Sequence, residues 1–357
     1  MRTVSLLGLL LVWISSLHGQ DLPPPRPVWN VQLGGPGAVW RAAFEPSRRQ
    51  FWIIDRDGRQ ATCVQVDQFL QQPRILRTYP PPAGYHFRDV QAQNSWVALL
   101  MAPDTAGTVG RVRIIDFGDD TLQTPRAFEV EVGFDPISCR FQGREHDSYW
   151  YGTRPRKPTG LLVANKGRAV GDFDPPGSLT WIPLGPAYDA ASVRQYDFAY
   201  LDRANLDPNL HYSTDSAQPA LDFEPEGLDI YTSYDDWGIA LVSCPENNAL
   251  VVVELDSPTL RPELVFAWGT QDFNTSATAF DPGSVGRMGD QRAYPVQGLL
   301  QPRTVSVDAI LSEWGRNSRY QRIQFVTADG GAPRPGEAVR VADLRLDRVR
   351  FPNASAL

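Results

Sequence analysis

Residues 221–258 read LDFEPEGLDIYTSYDDWGIALVSCPENNALVVVELDSP, and the pattern is that of three β-strands joined by two turns. The first strand is expected over 227–233, with Leu228 and Ile230 facing one way. Asp235 and Asp236 then turn the chain into 238–244, and Asn247 and Asn248 turn it again into 249–254. Paired asparagines suit a tight hairpin because their short side chains bond locally and tolerate positive φ. The runs 239–242 and 250–253 are apolar on both faces, so each must be sandwiched between other sheets. Such a unit cannot bury itself and needs copies of itself.

Copies follow along the chain. The first has strands over 37–44, 51–55 and 62–67, with Arg56-Asp57-Gly58 as a turn. The second runs over 84–90, 96–101 and 111–116, with a longer turn through Asp104 and Gly107. In the third, 137–141 precedes 161–164, Asn165-Lys166-Gly167 opens a loop, and 178–183 returns. The opening stretch is the fourth. The fifth comprises 304–311, 321–328 and 338–343 around a turn at Asp329-Gly330-Gly331.

The first two intervals between units match the roughly 40–50 residues of a propeller blade. The later two are nearly twice as long. They hold polar, turn-rich segments, 185–220 and 269–298, read as insertions crossing one face; a hidden blade in each is the rival reading. A short helix is expected within 188–202. The fold class is therefore all-β, a β-propeller of about five recognisable blades over 37–350. A two-sheet sandwich would not explain the recurring order of strand, hairpin and closing Asp or Glu.

The chain opens MRTVSLLGLLLVWISSLHGQ. A basic n-region at Arg2, an apolar run over 4–14 and small residues before Gly19 read as a secretory signal peptide over 1–19. The apolar run is short of the roughly 20 residues that span a bilayer. Residues 20–36 are a proline-rich, extended lead-in, and 351–357 form a tail. An exported or cell-surface protein is expected. A formal net charge of −7 argues against nucleic acid as partner.

Three cysteines, Cys63, Cys139 and Cys244, exclude a disulfide scaffold by their number. One pair plus a free thiol and three buried thiols both stay open. Asn274 and Asn353 stand in glycosylation sequons.

Catalytic motifs are not found: no G-x-S-x-G, H-E-x-x-H, phosphate loop or C-x-x-C. Beyond the signal segment the histidines are His86, His146 and His211, far apart in sequence. Acidic loops are the best site candidates. Glu224 and Glu226 precede a blade's first strand, and Asp172, Asp174, Asp235 and Asp236 lie in turns. Hard oxygen ligands from several loops suit Ca²⁺; the competing reading is that these turns are simply solvated. Arg56-Asp57-Gly58 is not an integrin sequence, and turn geometry is its expected role.

Several stretches carry a family resemblance. Glu224-Pro225-Glu226 and Glu246-Asn247-Asn248-Ala249-Leu250, LLVANKGRAVGDFDPPGSLTWI from Leu161, and FVTADGGAPRPGEAVRVADLRLD from Phe325 resemble the choice-of-anchor type I region of mesenchyme-specific cell-surface glycoproteins. The resemblance spans about residues 28–347. It implies a longer propeller, of seven blades, and an adhesive or extracellular-matrix role with an extracellular protein or matrix component as partner. Its alternative is a calcium-dependent propeller hydrolase of alkaline-phosphatase type. The sequence departs from the family where an acidic residue is Lys166, where DPEG is Asp174-Pro175-Pro176-Gly177, and where TANEGD becomes Thr327-Ala328-Asp329-Gly330-Gly331. These departures weaken an inherited cation site. Relatives continue past the position of Asp347, so the resemblance implies a ring incomplete at its C-terminal end; five blades that close by themselves are the rival reading.

Overall fold

The computed structural model describes residues 39–255, apart from 46, 67–72, 119–124, 144–156, 169, 171–172, 186–189, 199–222, 233–237, 245–246 and 248. Beyond 255 it describes the backbone of short strands only. Four four-stranded antiparallel meanders follow one another. The first is β1 (Val39–Glu45), β2 (Gln50–Asp55), β3 (Ala61–Gln65) and β4 (Arg74–Tyr79). The second is β5 (Tyr85–Gln93), β6 (Trp96–Pro103), β7 (Val109–Asp116) and β8 (Arg126–Phe134). The third is β9 (Pro136–Gln142), β10 (Gly160–Asn165), β11 (Ser178–Pro183) and β12 (Arg194–Asp197). The fourth is β13 (Gly227–Thr232), β14 (Gly238–Cys244), β15 (Ala249–Glu254) and β16 (Pro262–Ala267). Then come the pair β17 (Gln271–Asp272) and β18 (Leu299–Leu300), and a three-stranded sheet of β19 (Leu311–Ser312), β20 (Arg322–Ala328) and β21 (Val339–Arg345).

The stacking of these sheets follows from strands that are apolar on both faces. Side chains alternate across a strand, so β6 divides its residues between two cores. Val97, Leu99 and Met101 join Trp52, Ile54 and Cys63 of the first sheet with Phe87 and Val90. Trp96, Ala98 and Leu100 turn the other way and join Ile114, Cys139, Leu161 and Val163. β10 repeats the division, its Leu162 and Ala164 packing with Trp181, Phe198, Phe223, Leu228 and Val242. Each such buried Val, Leu, Ile, Met or Phe contributes about 1.5–3 kcal/mol. The innermost strands β1, β5, β9 and β13 neighbour one another in turn. The architecture is an all-β propeller.

The fourth strand of each described blade was not legible in the sequence. β8 alternates exposed Arg126 and Glu129 with buried Val130 and Val132, and Arg113–Glu129 and Arg111–Glu131 pairs lie across its ladder with β7. Charged outer strands protect a sheet edge from pairing with other chains, and that polarity hides β8 from a search for apolar runs.

Two expectations are corrected. The short helix expected within 188–202 is a three-residue 3₁₀ helix, Ala190–Ser192, leading into β12. Part of the supposed insertion is thus the outer strand of the third blade, paired with β11 from Trp181↔Arg194 to Ser178↔Asp197. The tight Asn247-Asn248 hairpin is instead a four-residue connection, because Cys244 pairs with Ala249. Among the described residues a two-residue hairpin with positive φ at both positions is formed instead by Asn94-Ser95 (φ 44° and 69°), between Gln93 and Trp96, which pair directly; its twist suits the flanking strands. Residues 1–38, 304–310 and 346–357, and with them the signal segment, the lead-in, the meeting of first and last blades and the tail, lie outside the described residues.

Candidate functional site

In a meander the start of the inner strand and the turn between its second and third strands fall at the same end. Tyr85 pairs with Pro103, Pro136 with Asn165 and Gly227 with Ser243. One face of the disc therefore gathers the β2–β3, β6–β7, β10–β11 and β14–β15 connections and the segments entering β5, β9 and β13. Charged side chains meet there at every described junction between blades.

At the first junction, Arg59 Nη1 donates to Asp104 Oδ2 (2.9 Å) and to the Tyr85 carbonyl (3.1 Å), and His86 Nδ1 lies 2.9 Å from Asp104 Oδ1. The Arg59 hydrogen bond, then that of His86, holds the Asp104 carboxyl below the usual carboxylate range. Gly58 makes the approach of this loop feasible. It has φ 67°, its carbonyl accepts from Phe87 N–H at 2.7 Å, and a Cβ there would stand 2.3 Å from the Phe87 carbonyl oxygen. Turn geometry is thus what Arg56-Asp57-Gly58 supplies.

At the second junction a single residue, Asp135 (φ 45°), links β8 to β9. Its carboxylate faces Arg88 at 3.5 Å and Arg168 at 3.9 Å, while its carbonyl accepts from Lys166 N–H at 2.9 Å. Beneath, buried Asp89 accepts from the Val90 and Cys139 backbone N–H groups at 2.9 and 3.0 Å, with Arg140 at 3.5 Å. Backbone donors and a cation together satisfy a carboxylate that burial alone would penalise.

The third junction brings the sequence candidates together. Lys166 is buried, 3% exposed, and its Nζ lies 2.9 Å from Glu224 Oε2 and donates to Glu226 Oε1. The surrounding backbone sets this geometry. Asn247, itself buried, accepts the Glu224 N–H at 2.9 Å through its side-chain oxygen. Glu226 N–H reaches the Ser243 carbonyl at 2.9 Å, and the Glu226 carbonyl accepts from Ser138 Oγ at 2.5 Å. The β10–β11 loop presses so close that a Cβ on Gly177 would lie 1.8 Å from the Phe223 carbonyl oxygen. Tethered in this way, the ammonium stands where a divalent ion between the two glutamates would have to sit. Among the described residues no group of three or more His, Cys, Asp or Glu is arranged to hold a metal.

All three thiols are free and buried. Burial pushes Cys63 up to about 12. Burial and then Asp89 push Cys139 up, and burial with Glu226 and Glu224 pushes Cys244 up. Of the remaining candidates, Asp174 is exposed in the β10–β11 loop. Asp172, Asp235, Asp236, His146, His211, Asn274 and Asn353 lie outside the described residues. The sequence reading missed Arg59, Asp104, Asp135 and the partnership of Lys166. The one available signal was that Arg59, Asp104 and Lys166 each stand in the loop between the second and third strands of their repeat.

Solved structures similar to the chain share little sequence with it. A functionally unknown protein from Desulfotomaculum acetoxidans DSM 771 aligns at TM-score 0.38 and 8% identity, over 88% of this chain and 71% of that one. The WD40 domain of SCAP from fission yeast aligns at 0.37 and 7%, over 87% and 64%. The periplasmic gluconolactonase of Pseudomonas aeruginosa aligns at 0.35 and 9%, over 90% and 91%. No curated protein matches the chain. The choice-of-anchor I domain pattern matches residues 41–356, nearly the whole of the sequence, and the chain belongs to that family.

Proposed function

We propose that this chain is a secreted or cell-surface-associated, non-catalytic propeller glycoprotein of the mesenchyme-specific cell-surface glycoprotein type. In this reading it adheres to an extracellular protein or matrix component and carries glycans at Asn274 and Asn353. The observation that supports it is the buried Lys166 ammonium against Glu224 and Glu226. A metal-dependent hydrolase needs an open cation position able to polarise substrate. Here the carboxylates that would hold the ion are engaged by a side chain of the fold itself, so the face works as a fixed surface without a cofactor. The family's choice-of-anchor character fits an extracellular propeller.

The test sets the two activities against each other. Purified protein is assayed against a panel of phosphate esters with Ca²⁺ and with chelator, and for adhesion to matrix-coated surfaces under the same conditions. Adhesion that persists in chelator, without turnover, is expected. Turnover that Ca²⁺ supports and chelator abolishes would replace this reading with the calcium-dependent phosphatase.

A further inference from the structure

We infer that the first blade carries, on the face opposite the candidate site, a binding surface for a sulphated polysaccharide chain. The inference rests on the extracellular adhesive reading above and names the chemistry of its partner.

The charge balance of this blade is inverted relative to the chain. The whole sequence holds 34 Lys and Arg against 41 Asp and Glu, whereas residues 39–79 hold seven arginines against four carboxylates. Pairing is unequal as well. Arg59, Arg88, Arg111, Arg113, Arg140 and Arg168 each stand against a carboxylate. Arg49, Arg74 and Arg77 are exposed and form no ion pair among the described residues. Glu45, at the end of β1, is fully buried with its oxygens turned to donors of Ser47, Arg48 and Ser95.

Sheet register gathers these arginines. Gln65 pairs with Arg74 of β4, and its Nε2 donates to the Arg48 carbonyl at 2.7 Å. The Arg49 carbonyl accepts from Val66 N–H at 2.9 Å. The β1–β2 turn and the start of β4 therefore flank the end of β3. With neighbouring strands about 4.8 Å apart, the Arg49 and Arg74 backbones stand about 10 Å from each other. A bulge brings in Arg77: Val64 pairs with Ile75 but Cys63 with Arg77, so Leu76 is the extra residue. In a regular strand Arg74 and Arg77 would lie on opposite faces; the bulge sets both on the face of Cys63 and Gln65. Arg48 is held in place, its Nη2 donating to the Phe117 carbonyl at 3.1 Å and its guanidinium 5.1 Å over that ring. Cations fixed before binding lose little conformational freedom when an anion arrives.

The groups around the arginines select among polyanions. A guanidinium offers paired N–H donors to two oxygens of one sulphate or carboxylate, and a sulphated polysaccharide repeats such groups along its length. A single-stranded nucleic acid draws on stacking rings, and the recess beside Arg48 and Arg49 is lined otherwise by Ser47, Gln65 and Val66. The negative charge of the remaining chain acts weakly at this surface, because physiological salt screens exposed charges beyond about 8 Å.

The experiment uses the full chain and a heparin oligosaccharide as probe, with its desulphated form and single-stranded DNA of similar length for comparison. Binding is followed by calorimetry. One variant combines Arg49→Gln with Arg74→Gln; the control, of equal charge, combines Arg111→Gln with Arg113→Gln. The heparin oligosaccharide should bind saturably, and the Arg49, Arg74 variant should weaken it by about tenfold or more. The control should change it by about twofold or less, with thermal unfolding alike in both variants. Log affinity should fall with log salt at a slope of about −3, as for four contacts to a single-stranded polyanion. Four results overturn the inference: no saturable binding, equal binding by the Arg49, Arg74 variant, equal loss in the control, or desulphated chain or DNA bound as tightly. A second assay compares adhesion to matrix before and after enzymatic removal of its sulphated chains. Equal adhesion to both indicates a protein partner; this site then falls while the adhesive reading stands. Heparin binding with adhesion to neither keeps the site and overturns the adhesive reading.

Discussion

The two faces of the disc join their blades by different chemistry. On the candidate face, carboxylates meet side-chain cations reaching from neighbouring loops: Arg59 to Asp104, Arg88 to Asp135, Lys166 to Glu224 and Glu226. On the opposite face the corresponding carboxylate is Glu45, fully buried at the end of β1. Its oxygens accept from the backbone N–H groups of Ser47 (3.2 Å), Arg48 (2.6 Å) and Ser95 (2.9 Å) and from Ser47 Oγ (2.6 Å). Ser95 belongs to the second blade, so this one carboxylate ties two blades together through main-chain donors. Arg48 adds a bond to the Phe117 carbonyl at 3.1 Å and lies 5.1 Å over its ring. Backbone donors are held by the sheet and cannot swing away, whereas a side-chain cation must be ordered by its surroundings. The difference teaches where this propeller is rigid by construction and where its geometry depends on particular charges.

The largest expected effect breaks the candidate face. Lys166→Met leaves Glu224 and Glu226 without their ammonium; loss of one partner of a fully buried ion pair costs about 3–5 kcal/mol, an upper bound here because the Glu226 side chain is 34% exposed. Urea unfolding should show this loss, and adding Glu224→Gln and Glu226→Gln should restore much of it. A triple variant no more stable than Lys166→Met alone would mean that the charges are not what matters.

Glu45→Ala tests the other face. It strands donors that the fold still buries, at about 1–3 kcal/mol, and should be insensitive to added salt because Glu45 is held by backbone N–H groups and the Ser47 hydroxyl. A strong dependence on ionic strength would erase the contrast between the faces.

Thiol labelling sharpens the comparison by showing which region opens first. At about pH 8, native protein should present no reactive thiol, because burial raises all three cysteines away from the thiolate. All three should react in denaturant. In Lys166→Met, Cys244, next to the disturbed junction, should label before Cys63 in the first blade. Simultaneous labelling would mean that the disc opens as one unit.

Acid titration should give the smallest effect. The Asp104 carboxyl lies below its usual range, so the stability it contributes is complete above the unfolded value of about 3.9 and disappears as pH falls through the lower folded value. Asp104→Asn should remove that part of the acid-side slope below about pH 4. Because Asp104 and Arg59 are solvent-accessible, the change should be slight and weaken with salt. An unchanged slope would show that the pair contributes nothing.

What the sequence determined by itself is the stacked all-β architecture. β6, β10, β14 and β15 are apolar at successive positions, and a strand that is apolar on both faces must lie between two sheets wherever it falls in the chain. That inference needs only the alternation of side chains along an extended backbone, which is local. Glu224 and Glu226 were legible for the same reason, as an acidic pair at the entrance to a strand.

Their partner was not. Lys166 lies 60 residues from Glu226, and Arg59 lies 45 from Asp104; no local pattern links them. In sequence Lys166 reads as a lost acidic position, while in the fold its ammonium stands between the two glutamates and meets the need for positive charge there. Asn247 likewise reads as a turn residue, but its buried side chain anchors Glu224. Ion pairing depends on which loops are brought within a few ångströms across a blade junction. That proximity is set by the packing of whole sheets, so only the tertiary structure decides it.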